Sequence, residues 1–120
     1  MNSTVMIVDD SLFMRKILRG ILDEKGYAVI AEAGSGLEAM KNLHTNHPDI
    51  IFLDIILPDS SGLDLLAEMT TVCPNTKVVV CSSIGQSLVM QKTLDLGARA
   101  FIQKPFTPES IAEVLQKLEN

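Results

Sequence analysis

Four short strand-like runs in this 120-residue chain end on residues able to do chemistry. Val5 to Val8 leads into Asp9-Asp10, Ile50 to Leu53 into Asp54, Val78 to Cys81 into Ser82-Ser83, and Ala100 to Gln103 into Lys104-Pro105. Brought to one place, three carboxylates repel and raise one another's pKa unless a cation sits among them. A hard divalent ion held by one or two carboxylates plus water, Mg²⁺ above all, solves that problem. Lys104 and the Ser82 hydroxyl then add a positive charge and a donor at the same opening. Carboxylates, metal, lysine and hydroxyl together make a site that handles phosphoryl groups.

Each residue also has a plainer reading when taken alone. An Asp pair before a helix serves as cap and dipole complement. Asp54 could form the turn before Pro58, Lys104 could be a solvated loop residue, and Ser82 could satisfy local backbone groups. Phe101 fits equally a passive core aromatic or a moving one. The combination carries the functional reading, because no plain explanation requires all of them at strand ends. His44 and His47, three apart, have no further ligands nearby and read as capping the negative end of a helix. Cys73 and Cys81, eight apart, match neither a redox pair nor a disulfide framework and read as a loop residue and a buried strand residue. Met6, Met14, Met40, Met69 and Met90 read as core filling.

The elements that position these residues alternate in period. After the first strand, Phe13, Met14, Ile17, Leu18, Ile21 and Leu22 recur at helical spacing, with Gly26 where a C-cap belongs. Ala28 to Ala31 is a weaker second strand. Leu37, Met40 and Leu43, with Glu38 and Lys41 opposite, predict a helix ending near His44. The third strand is followed by the turn Pro58-Asp59-Ser60-Ser61-Gly62 and a helix carrying Leu63, Leu66 and Met69. The three valines before Cys81 make the fourth strand, and a helix through Leu88, Val89 and Leu94 runs to Gly97. The last helix opens with Thr107 as N-cap and Pro108 at its first position, burying Ile111, Val114, Leu115 and Leu118. Five β–α units with near-continuous apolar strands predict a parallel sheet covered on both faces, a three-layer α/β/α sandwich. Ligands of such sheets bind beyond the carboxyl ends of the strands, where these polar residues fall.

Length and composition agree. At this mass the size scaling buries about two thirds of the unfolded surface, enough for one core without staples. The chain is 47% apolar and 21% charged with 7 Gly and 5 Pro, which excludes a disordered or collagen-like protein. A net charge of −5 argues against direct nucleic-acid binding, which draws its affinity from basic residues. The longest stretch without a charged side chain, Val78 to Gln91, is too short and too polar to span a bilayer. The N-terminus has no basic region preceding an apolar one, so it is not a signal peptide. Residues 1–120 are expected to be one cytoplasmic domain with no membrane insertion.

The segments MIVDDS, IIFLDIILPDSSG, VVVCSS and FIQKPF resemble the receiver domain of two-component response regulators, from Val5 to the last helix. The runs Asp10-Ser11-Leu12-Phe13-Met14-Arg15 and Ser82-Ser83-Ile84-Gly85-Gln86 are most similar to the single-domain chemotaxis members. The resemblance implies a flavodoxin-like sheet in the order 2-1-3-4-5. It implies Asp54 as the acceptor of a phosphoryl group from a histidine kinase. It further implies Mg²⁺ held by Asp9, Asp10, Asp54 and the backbone carbonyl of Ile56. By the same resemblance Lys104 pairs with a phosphoryl oxygen, Ser82 reorients toward another, Phe101 is the switch aromatic, and the Lys104-Pro105 bond is cis. Ile56 and Ile84 depart from the polar residues of faster-hydrolysing members, which implies a long-lived phosphorylated form, and Phe101 lacks the hydroxyl of the tyrosine in many members.

The expected function is a phosphorylation-activated switch of a two-component phosphorelay, in chemotaxis signalling, with no turnover of an external substrate. Its downstream partner, a flagellar-motor switch component or another peptide, is expected on the face of the fourth helix, fifth strand and fifth helix, where Lys92, Arg99 and Lys117 supply positive charge. The alternative is a receiver domain from a longer regulator with a DNA-binding or enzymatic output. An aspartyl-phosphate phosphohydrolase would need a second Asp where Ile56 stands. A dinucleotide-binding domain would need glycines where Asp9-Asp10-Ser11 stands.

Overall fold

The computed structural model describes residues 3–83 and 87–119. Strands and helices alternate as β1 (Thr4–Val8), α1 (Leu12–Glu24), β2 (Ala28–Ala33), α2 (Gly36–Leu43), β3 (Ile50–Asp54), α3 (Gly62–Val72), β4 (Lys77–Ser82), α4 (Ser87–Asp95), β5 (Ala100–Gln103) and α5 (Pro108–Glu119). The strands form one sheet in the order β2-β1-β3-β4-β5, and every neighbouring pair is parallel.

The period of two along each strand sorts the core into two layers. Val5, Ile7, Phe52 and Val79 turn toward Leu18 and Leu22 of α1 and Ile111 and Leu115 of α5. Met6, Val8, Ile51, Leu53 and Val80 turn the other way, toward Ala39 and Leu43 of α2 and Leu65, Leu66 and Met69 of α3. A sheet covered on both faces has no solvent side, so all five residues of β3 are buried and its apolar run is unbroken up to Asp54.

Side-chain caps set where the helices start. Ser11, Ser35 and Ser61 each accept a hydrogen bond from the amide three residues on, satisfying an otherwise unpaired donor. Ser11, rather than the Asp pair, is therefore the N-cap of α1. Thr107 and Ser110 cap α5 reciprocally, with Pro108 as its first residue as predicted. Gly26 follows α1 with φ +84°, the conformation expected of its cap position.

Three apolar residues assigned to buried helix faces are exposed instead: Phe13 at 71%, Leu37 at 76% and Leu88 at 85%. The stripe of α1 that meets the sheet carries Leu18, Ile21 and Leu22, with Met14 and Ile17 partly buried, and Phe13 sits a further 100° round the helix from Met14. In α2 the buried stripe is Gly36, Ala39 and Leu43, which leaves Leu37 outward. Met90 and Leu94 of α4 are likewise exposed, so Met90 is not core filling, and Leu65 rather than Leu63 joins Leu66 and Met69 in the core. Among the described residues, no helix is long and apolar enough to cross a membrane.

The loop leaving Asp54 lies flat against the start of α3, where Ile56 bridges Ser61. A Cβ on Gly62 would fall 2.0 Å from the Ile55 carbonyl oxygen, so only glycine permits this approach. Gly62→Ala is therefore expected to destabilise the fold by about 1–3 kcal/mol, the usual range for overpacking. A fall of several degrees in Tm is the readout, and an unchanged Tm would show that the loop yields without cost.

Candidate functional site

Parallel strands bring their carboxyl ends to one edge of the sheet. Asp9 follows β1, Asp54 closes β3, Ser82 closes β4 and Lys104 follows β5. Carboxylate oxygens of Asp9, Asp10 and Asp54 lie within 4.8 Å of one another. Asp9 and Asp54 are buried and Asp10 is exposed. The Lys104 ammonium donates to Asp9 Oδ2 at 2.6 Å and to Asp54 Oδ2 at 3.1 Å. The second oxygens are held by backbone amides, Ser11 N–H on Asp9 Oδ1 and Ile56 N–H on Asp54 Oδ1, both at 2.9 Å. Three carboxylates offering only oxygen, one of them open to solvent, are the donor set of a hard cation that keeps part of its water.

Burial raises the pKa of Asp54 above its ordinary value, and the Asp9 charge adds to the rise, while the Ile56 amide and Lys104 oppose it. Burial pulls Lys104 down, but its hydrogen bonds to Asp9 and Asp54 and their charges outweigh that, so its net shift is upward. The two ends of the Lys104–Asp54 contact thus differ, the ammonium gaining and the carboxylate losing. Burial of Asp54 outweighs what Lys104 and the Ile56 amide return to it, whereas Lys104 gathers two carboxylates, and that difference explains the asymmetry.

Ser82 is buried at the end of β4, and its carbonyl accepts from the Lys104 amide at 2.9 Å. The Lys104-Pro105 peptide is cis, as expected. Phe101 is half-buried, packed against the α2–α3 layer of the core. Ile56 is exposed beside Asp54, whereas Ile84 lies outside the described residues. His44 and His47 are both exposed and away from the acidic cluster; His44 is the C-cap residue of α2. Cys73 is half-buried at the C-terminus of α3, and burial pushes the Cys81 thiol up, which keeps it protonated.

Sequence reasoning missed two supporting residues. Arg15 donates to the Asp9 carbonyl at 2.5 Å and pairs through Nε with Glu32 at 3.0 Å, clamping the turn that carries the acidic pair. Its place one turn beyond Ser11 was visible, but its partner on β2 lies 17 residues away. Asp59, read only as a turn former, accepts from the amides of Gly36 and Leu37 at the start of α2. No local signal marks that contact, because its partners lie 22 and 23 residues off.

The Asp54 shift has a consequence for stability. An acid whose folded pKa is raised binds its proton more readily when folded, so its ionised form costs stability above that pKa and nothing below the unfolded one. Without Mg²⁺, Asp54→Asn is expected to melt higher than the wild type at pH 7, with the difference closing as pH falls toward the ordinary value of 3.8. Melts across that range check this, and a lower-melting mutant at pH 7 would mean that Lys104's lost contact matters more than the relieved burial.

Comparison with known proteins agrees with this geometry. The family described as response regulator receiver domain matches residues 5–116. The chain is 40% identical over 118 residues to the chemotaxis protein CheY of Thermotoga maritima, covering 98% of each chain. It is also 40% identical over 113 residues to the chemotaxis protein CheY of Listeria monocytogenes, covering 94% of this chain and 95% of that one. Among solved structures, the CheX–CheY–BeF3–Mg²⁺ complex from Borrelia burgdorferi superposes with a TM-score of 0.91 at 31% identity, covering 98% of this chain and 90% of that one. Strand order, the acidic edge with its lysine, and near full-length similarity thus converge: the chain belongs to the receiver domains of two-component response regulators.

Proposed function

We propose that this domain is a chemotaxis-type switch that accepts a phosphoryl group on Asp54 from a histidine kinase, with Mg²⁺ bound, and then changes its affinity for a partner. The observation that carries the reading is the convergence of Asp9, Asp10 and Asp54 around one point with Lys104 bridging two of them. Asp54 stands on the central strand β3, between the Asp9–Asp10 pair and the lysine. An Asp54 oxygen forms the new O–P bond as the P–N bond of a phosphohistidine donor breaks, and the departing electron pair stays on the imidazole nitrogen. Asp9, Asp10, Asp54 and the Ile56 carbonyl would hold Mg²⁺. Bound there, the ion would draw charge off the phosphoryl oxygens. Lys104 is placed to follow the phosphoryl group, exchanging a carboxylate partner for a phosphoryl oxygen. Ile56 stands where a phosphohydrolase would need its acid, so the domain does not turn over an external substrate.

The names of the Thermotoga and Listeria relatives support the chemotaxis assignment, and the Borrelia complex supports Mg²⁺ with a beryllofluoride phosphoryl mimic. Ser82 and Phe101 end and occupy the strands next to α4, so a hydroxyl drawn toward the phosphoryl group leaves space that Phe101 can fill. The face of α4, β5 and α5 offers exposed Leu88 and Leu94 beside Lys92, Arg99 and Lys117, which suits a downstream peptide such as a flagellar-motor switch component.

Incubation with a small phosphodonor and Mg²⁺ should add one phosphoryl group by intact mass, lost in Asp54→Asn; undiminished labelling of that mutant moves the acceptor elsewhere. Asp10→Asn should weaken Mg²⁺ binding by calorimetry and slow labelling together. Lys104→Ala should not weaken the metal, because the ammonium competes with it for Asp9. In the phosphorylated protein, Ile56→Asn is expected to speed hydrolysis severalfold by giving water a side chain to orient it. An unchanged decay rate would show that this residue does not limit the reaction.

A further inference from the structure

The geometry points to a second docking surface, a groove between α2 and α3 that fits an amphipathic helix of a partner protein with lysines or arginines along one flank. The groove encloses about 520 Å³, with Leu37, Met40 and Leu65 as its apolar surface and Asp59, Asp64 and Glu68 as its acidic wall. Leu37 and Met40, three apart on α2, form a ridge with a second concavity on its other side, of about 330 Å³, lined also by Lys41 and His44. An apolar ridge between two concavities is the complement of a helix that presents a stripe at i, i+3, i+4 and i+7.

Charge says which helix. Asp64 and Glu68 stand one turn apart on α3, where like charges repel, and α3 carries no lysine or arginine. Among the described residues neither acid is in a salt bridge. A partner that brings cations to this wall relieves the repulsion as it buries Leu37. Lys41 and His44 lie beyond the ridge, so the partner's basic flank must face α3, which fixes its orientation. The groove is held open in advance. Both carboxylate oxygens of Asp59 accept from α2, from the Gly36 amide at 2.8 Å and the Leu37 amide at 3.1 Å, and so tie its first turn to the loop that begins α3. A preformed surface spends less of its binding energy on ordering. This face is separate from α4, β5 and α5 and does not depend on Asp54.

The test uses the unphosphorylated full chain, so its result is independent of the phosphoryl chemistry. A synthetic helical peptide of about 18 residues with a leucine stripe and lysines on one flank is titrated into labelled protein and followed by amide NMR shifts. The largest shifts are expected at Gly36 to Met40 and Asp64 to Glu68. Leu37→Ser, an exposed substitution that leaves every charge in place, should weaken binding by about fivefold or more. Asp64→Asn with Glu68→Gln should do the same, and salt should weaken the wild-type complex. Largest shifts on α4 and α5, an affinity unmoved by Leu37→Ser, or equal binding of a peptide with glutamates in place of the lysines overturns the proposal. So does concentration-dependent self-association of the chain alone that Leu37→Ser abolishes, since the occupant would then be a second copy.

Discussion

The Lys104 ammonium, donating to both Asp9 and Asp54, is the contact around which the carboxyl edge of the sheet is arranged. Asp9 and Asp54, with oxygens within 4.8 Å of one another, repel by about 3.5 kcal/mol or more even at an effective dielectric near 20, and Asp10 adds a third charge from the solvent side. Among the described residues, Lys104 is the cation paired with these carboxylates, and it comes from an awkward distance. In the order β2-β1-β3-β4-β5, a side chain following β5 must cross the end of β4 to reach β3 and β1. A long flexible stem can span that distance, and β4 ends on a small residue, Ser82. The backbone bond from the Lys104 amide to the Ser82 carbonyl holds the start of that crossing in place. Choice of residue at one strand end is therefore tied to the reach of a residue at another.

The arrangement is stable without being relaxed. Asp54 is carried on a strand buried along its whole length, so it cannot retreat into water, and that burial raises its pKa. Asp9 is held by an amide on one oxygen and the lysine on the other, with Arg15 gripping its carbonyl. Carboxylates gathered and oriented in advance at a partly buried edge are the condition under which a bound cation or an added phosphoryl group gains most. The two core layers fill the interior, and the charge is left at the carboxyl edge of the sheet.

Much of this was legible before any coordinates. The polar residues that end the apolar runs, Asp9-Asp10, Asp54, Ser82 and Lys104, had their meaning fixed by parallel topology, and the alternation of strand and helix implied that topology. The last helix was legible down to its cap, because Thr107-Pro108 and the spacing of Ile111, Val114, Leu115 and Leu118 all agree. The strand order was not in the periodicity, which is blind to which strands are neighbours; it came from the resemblance of the motifs. Arg15 and Asp59 were invisible as supports for another reason. Each acts on a segment brought near only by the finished fold, and neither type of contact leaves a local pattern. Ser11 was hidden by a louder neighbour, since an aspartate pair competes with serine for the cap position on sequence alone.

The failures of helical periodicity are informative in the same way. Spacing identifies an apolar stripe but not its centre, so a residue 100° off the contact line is counted as core when it is surface, as at Phe13, Leu37 and Leu88. A single exposed leucine needs no explanation. Leu37 differs because it coincides with a concavity and with an acidic helix lacking any cation, and Leu88 because it lies on the face that carries Lys92, Arg99 and Lys117. The net charge of −5 hides this difference, since α3 carries Asp64 and Glu68 with no cation, while the stretch from α4 to α5 mixes Lys92, Arg99 and Lys117 with Asp95, Glu109, Glu113 and Glu119. An apolar patch in an all-acidic setting and one in a mixed-charge setting differ in the charge they would accept from a partner, because a wrong pairing brings like charges together. The two proposed docking faces thus rest on different helices of one domain, α2 and α3 for one and α4 and α5 for the other.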